Sequence, residues 1–303
     1  MGAALLNQVP NPFYGNPLIQ AGGLSGTTVS AEQLLLPFPQ FSGVTYGNAS
    51  SFGASLYNSL QAKLVRRFAN GFSVLSSYTW SKLRDNIGAS ETGFPGSVVP
   101  GSGIQDWDNL KKEWSVAEFD VPHYWTTSGI YELPFGKGRK YLKNSGKADY
   151  VIGGWQLEGI NSFISGYPVV VYPANQTLNN NGGFQRANWN GQKAAGSGRV
   201  DKRLNSYFNV AQFSAPAPFT YGNSPRLISS LRTPITYNTD LSFIKKVKFA
   251  ERFTGEFRFE AFNVFNHPLF GGPDTALGDG TTGIVNSQVN LPRQVQVAGK
   301  ITF

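Results

Sequence analysis

The chain has 303 residues, of which 15% are charged, against roughly 25% in typical soluble proteins. Its net charge of +8 does not point to nucleic acid: Lys and Arg occur in ones and twos, as at Arg66-Arg67, Lys111-Lys112 and Lys245-Lys246, where a nucleic-acid binder gathers them into a patch. The absence of cysteine excludes disulfides and thiolate metal sites. No run of about 20 apolar residues is present, which excludes a transmembrane helix, but a transmembrane barrel passes this test because alternate residues are free to be polar.

The aromatic content of 14% and the 35 glycines favour strands and turns over helices. Residues 1–54 are rich in Pro, Gly, Ser and Thr and read as a loop-rich segment with one candidate strand near 41–46. Residues 1–62 contain no Lys or Arg, so the positive region of a secretory signal is missing. The barrel portion is expected over 55–303. Leu60, Ala62, Leu64 and Phe68 alternate with polar residues, with a break at Val65-Arg66. After Ala69-Asn70-Gly71, Phe72, Val74, Ser76, Tyr78 and Trp80 follow on one face, a pattern broken only by Leu75. Two alternating runs joined by Asn-Gly predict a hairpin.

Residues 83–120 lack periodicity and read as a long loop. Strands are predicted at 124–133, ending in the turn Pro134-Phe135-Gly136-Lys137-Gly138, and at 154–165. A second long loop covers 175–203, and a less regular stretch covers 207–232. The last group is the clearest. Tyr237, Thr239, Leu241 and Phe243 form one apolar face; Phe253, Gly255, Phe257, Phe259 and Ala261 form the next, after the turn at 250–252. Val295, Val297, Gly299, Ile301 and Phe303 then complete a closing strand over 293–303. Long loops alternate with short turns, as in outer-membrane barrels.

Three features favour lipid over a soluble core. The polar face of the last strands carries both signs of charge, aromatics recur near strand ends, and the strands run to about 10 residues, enough for a tilted crossing. The expected fold is therefore all-β, an antiparallel transmembrane β-barrel portion of about eight to ten strands with long external loops. A soluble β-sandwich would use the same aromatics and stays open as an alternative, as does a small self-contained barrel acting as adhesin or pore.

Several motifs carry a resemblance. Tyr57-Asn58-Ser59-Leu60-Gln61-Ala62-Lys63-Leu64 with Arg66-Arg67-Phe68, and Ser77-Tyr78-Thr79-Trp80-Ser81-Lys82, resemble TonB-dependent outer-membrane receptors of the Oar-like type, which carry a carboxypeptidase-regulatory-like domain. Tyr131-Glu132-Leu133-Pro134-Phe135-Gly136-Lys137-Gly138, Gly153-Gly154-Trp155-Gln156 and Phe259-Glu260-Ala261-Phe262-Asn263-Val264-Phe265-Asn266 are similar to later parts of the same receptors. The resemblance implies a C-terminal barrel fragment in the outer membrane of a Gram-negative bacterium. It also implies the barrel assembly machinery, a plug and TonB held by a missing N-terminal part, and an unidentified large nutrient as partners. Phe303 is the implied assembly signal. No TonB box, plug or regulatory-like domain can be placed in the sequence, so the chain alone is not expected to transport.

No enzymatic role and no cofactor are expected. His123 and His267 lie far apart in sequence, and no cluster has metal-ligand spacing. There is no Gly-x-Ser-x-Gly elbow, and 271–283 lacks the Lys-Ser/Thr of a phosphate loop. The lumen-facing candidates are Lys63, Arg67, Asp240, Glu256, Arg258 and Glu260, for which pairing across strands is the simpler role. Asp106, Asp108, Asn179, Asn181 and Asn190 are candidates for ligand contact from the external loops, and ordinary turn formation is their plainer alternative.

Overall fold

The computed structural model describes residues 2–19, 24–36, 38–41, 53–87, 103–144, 146–178, 184–250 and 253–303. The candidate strand at 41–46 falls outside them except for its first residue. Seven long strands form the wall: β1 (Ser55–Ala69), β2 (Phe72–Asp85), β3 (His123–Glu132), β4 (Trp155–Ile164), β5 (Thr236–Ala250), β6 (Phe253–Phe262) and β7 (Gln294–Thr302). Each pairs antiparallel with its neighbours in sequence, giving an up-and-down meander in chain order from β1 to β7. The two-residue strand Ser115–Val116 adds to the upper end of β2 and makes the sheet eight-stranded. This is the antiparallel barrel wall that the alternation predicts, but among the described residues the sheet does not close: β1 and β7 are each bonded on one side.

Local chemistry sets the hairpins. Asn70 and Gly71 both have positive φ, 54° and 78°, as a two-residue turn matching strand twist requires. The break read at Val65-Arg66 is not an interruption, since β1 runs through it and the register with β2 shifts only between Arg66 and Ala69. Val65 and Leu75 are cross-strand partners, so two apparent faults in the alternation meet on one face.

Register assigns every side chain to a face. One face carries Lys63, Ser77, Thr126, Ser128, Glu158, Asp240, Ser242, Glu256, Arg258, Glu260 and Lys300; the other carries Leu64, Val74, Leu157, Leu241, Phe243, Phe257, Phe259, Val297 and Ile301. On the apolar face the aromatics form two belts. Phe72, Tyr131, Trp155 and Phe253 lie at the turn end, and Tyr78, Trp80, Trp125, Phe163 and Tyr237 lie at the loop end. Phe72 and Trp80 are eight residues apart on β2, about 26 Å of strand. Tilted by about 40°, that rises about 20 Å, most of the roughly 25 Å apolar band of an outer-membrane barrel.

The connections differ at the two ends. At one end β1–β2 and β5–β6 are tight, and 133–154 holds a short helix, Asp149–Ile152. At the other end, 86–122, 165–235 and 263–293 are long, and they are not the open loops the sequence suggests. Their described residues fold together into a cap with a core of Val169, Val171, Ala187, Tyr207, Phe208, Phe213, Ile228, Leu231 and Val285. Val116, Val170 and Leu227 form a second cluster beneath it. Residues 2–41 add a small unit of their own: Gln8–Pro10 pairs with Thr28–Ser30, and Ala31–Leu34 forms one helical turn.

Candidate functional site

Two features have functional chemistry: the polar inner face of the wall and the cap over its mouth. The inner face encloses a hollow of about 620 Å³ lined by Lys63, Glu158, Asp240, Ser242 and Glu260 among others. Arg258 donates to Glu256 at 2.7 Å and to Glu260 at 3.4 Å, while Lys246 reaches Glu256 from the neighbouring strand at 3.8 Å. Asp240 accepts from the side chain of Asn238 at 2.9 Å and from the backbone N–H of Asn263 at 2.8 Å, which anchors the start of the last long loop. Of the six lumen-facing candidates, Lys63, Asp240 and Glu260 line the hollow, Glu256 and Arg258 share their face, and Arg67 sits at the slip in register of β1. Charged pairs here are water-facing and partly exposed, so each contributes little to stability. Their value is a hydrated, mixed-charge lining.

The same inner face has an apolar patch. Val65, Leu75 and Ile160 are exposed by 55%, 42% and 58%, and Ile130 lines the hollow beside them. In register they are near neighbours, through the pairs Val65–Leu75, Leu75–Ser128 and Ser128–Ile160.

The cap is held by buried ion pairs that no local sequence pattern reveals. Arg186 donates two hydrogen bonds to Glu113, at 2.5 and 3.1 Å, and both side chains are almost wholly buried. Arg226 pairs with Asp85 at the top of β2 and donates Nε–H to the Glu113 carbonyl at 3.2 Å. Burial pulls the Arg226 guanidinium below its ordinary pKa, and Asp85 and Glu113 oppose that shift. Arg232 pairs with Asp120 at 2.5 Å. Gln105 acts as a backbone bracket: its amide donates to Gly222 O at 2.9 Å and accepts from Arg186 N–H at 2.7 Å and Gly222 N–H at 3.1 Å. Gly222 is required there, because a Cβ would sit 1.8 Å from the Arg186 carbonyl. Charges from 86–122 thus clasp arginines from 165–235 across a water-poor interior.

The loop candidates have different placements. Asp106 is buried and paired with Lys112 at 3.2 Å, Asp108 is exposed, and Asn190 is exposed and bonded to Gln212 at 2.7 Å. Asn179 and Asn181 lie outside the described residues. Among the described residues no group of three or more His, Asp or Glu could hold a metal ion. His123 shares a hydrogen bond with the Tyr78 hydroxyl at 2.8 Å, and His267 stands edge-on to Tyr237. Phe303 is almost fully exposed, with its ring 6.4 Å from that of Phe253.

A meander with an apolar, aromatic-belted face, a charged inner face, tight turns at one end and large loops at the other defines an outer-membrane β-barrel wall. The family comparison agrees. A family model described as "Outer membrane beta barrel domain" matches residues 2–296, and the chain belongs to that family. It therefore resides in the outer membrane of a Gram-negative bacterium. No curated protein and no solved structure matches the chain.

Proposed function

We propose that this chain forms part of the barrel wall and external cap of a TonB-dependent receptor for energy-coupled uptake of a large nutrient. The reading gives it a non-catalytic role and makes it dependent on a plug for transport. The observation that carries it is the open wall. Among the described residues seven crossing strands form a sheet whose two edges are both unpaired, whereas plugged transporters close with about 22. The uncovered apolar patch of Val65, Leu75 and Ile160 supports it too, since a water-filled pore has no use for such a surface and a plug would cover it. The Oar-like motifs point the same way. In this reading the lumenal charges meet the plug, the cap meets the nutrient, and Phe303 is read by the assembly machinery.

The test is to place cysteine at Leu75 and cross-link in native outer membranes. Capture of a plug-bearing polypeptide, or of a plug on the same polypeptide, supports the reading. A chain that alone gives a heat-modifiable monomer and a discrete single-channel conductance would instead establish a small self-contained barrel.

A further inference from the structure

A second cavity, of about 790 Å³, lies where the loop ends of β4, β5 and β6 meet the cap; Ser165, Arg199, Arg203, Arg232, Ile235 and His267 are among its lining residues. It reaches the outward side of the wall. Phe163 and Tyr237 belong to the outward aromatic belt at the loop end, and they are cross-strand partners. Two residues beyond each, on the same alternation, stand Ser165 and Ile235, about 7 Å further along the strands. His267 is edge-on to Tyr237, with ring centroids 6.0 Å apart. Aromatic belts mark the edge of the hydrocarbon, so the cleft opens at the level of lipid headgroups.

Its chemistry is cationic. The cap segment 193–203 carries Lys193, Arg199, Lys202 and Arg203 against one carboxylate, Asp201. Asp201 is shared between Arg199 at 3.0 Å and Lys202 at 3.9 Å. Arg203 lies over the Tyr207 ring at 4.1 Å and donates Nη1–H to Tyr207 O, while its buried Nε–H has no hydrogen-bond partner. Arg232 is already matched by Asp120. The excess positive charge is therefore on Arg199, Lys202 and Arg203. Guanidinium forks beside an apolar surface suit a phosphate group attached to acyl chains.

We infer that this cleft binds the phosphate-bearing headgroup of an outer-leaflet lipid, with Arg199 and Arg203, which line it, as its cations and Lys202 beside them through Asp201. The assignment rests on the membrane placement alone and stands whether or not the barrel couples to TonB. The full chain, folded in dodecylmaltoside micelles, is titrated with phosphatidic acid, and in parallel arms with diacylglycerol, which has the acyl chains without the phosphate, and with inorganic phosphate. The readout is the ligand-induced shift of the thermal unfolding midpoint. The variant R199A/K202A removes two largely exposed side chains whose ion pairs are to Asp201, so its midpoint without lipid should match the parent. It should bind phosphatidic acid about tenfold or more weakly, and D201N should bind it more tightly. Equal stabilisation by diacylglycerol would overturn the phosphate assignment. The full effect from inorganic phosphate alone would overturn the lipid assignment, and so would undiminished phosphatidic acid binding in the double variant.

Discussion

Removal of the Glu113 carboxylate should open the cap while leaving the wall intact. The carboxylate accepts from Arg186 Nη1 and Nη2 and from the Asp106 N–H at 3.2 Å. Glu113 and Arg186 are exposed by only 0% and 3% at their side chains, so the lost pair is not replaced by water. Breaking such a pair from one side costs about 3–5 kcal/mol, because the remaining charge stays buried without its partner. At about 1.4 kcal/mol per tenfold, the cap in E113A should open at least about a hundredfold more often. Hydrogen exchange resolves this directly. The amides of Arg186 and Gly222, which are bonded to Gln105, should lose protection by that factor. The paired amides of β3 and β4 should not change. The double variant E113Q/R186M, which removes both charges, should recover most of the loss. Cap protection within about threefold of the parent in E113A, or wall amides that lose as much as cap amides, would refute the argument that the clasp is buried and local.

Other consequences are checked more simply. F257R places a charge on the outward apolar face and should cost about 2–4 kcal/mol near the bilayer midplane, read as a lower denaturant midpoint in vesicles, whereas S242R on the inner face should cost far less. G71A puts a side chain at φ 78° with its Cβ 3.3 Å from that of Glu132; it should cost about 1–2 kcal/mol, seen as slower folding into micelles. Burial raises the Tyr207 phenol above its ordinary pKa, and its O–H donates to Arg232 O at 2.8 Å. Its folded pKa exceeds its unfolded one, so this contribution is intact below about pH 10 and fades as pH rises through the folded value. Cap proteolysis should therefore increase above that pH in the parent, and Y207F should lack this step.

The wall was legible because lipid and lumen write a period of two on every strand. The faces predicted for Tyr237–Phe243, for the run from Phe253 to Ala261 and for Val295–Ile301 are those the register gives. Strand ends moved by a residue or two, as at 154–165 against Trp155–Ile164. What periodicity could not show was where a departure from it leads. Val65 and Leu75 each look like a local fault, and only the β1–β2 register shows that they make one patch. The cap was illegible for a different reason. Its apolar residues come as short islands such as Val169-Val170-Val171 and Leu227-Ile228, separated by polar sequence with no period. Glu113, Arg186, Asp85 and Arg226 are single charges brought together from more than 70 positions apart. Nothing local distinguishes them from solvated loop residues, although apolar islands such as these, outside the predicted strands, were a usable hint of a core.

The two halves of the molecule are therefore stabilised by different solvents. The wall turns its large apolar side chains outward, with Leu60, Phe257, Phe259, Val297 and Ile301 all more than 40% exposed, and their burial is completed by acyl chains. Its own cohesion is the ladder of backbone bonds, which hydrocarbon cannot replace. The cap buries its apolar residues within the protein and pairs its interior charges, as a water-soluble domain does. Detergent exchange that thins or strips the acyl layer should therefore destabilise the wall first, while salt or extremes of pH should act first on the cap. Among the joins between them, three run through a carboxylate: Asp85 with Arg226, Asp240 with the Asn263 N–H, and Asp120, which accepts from the Leu83 N–H and from Arg232. Each join couples a strand end to a loop through one carboxylate. These three carboxylates are where a ligand-driven movement of the cap would be felt by the wall.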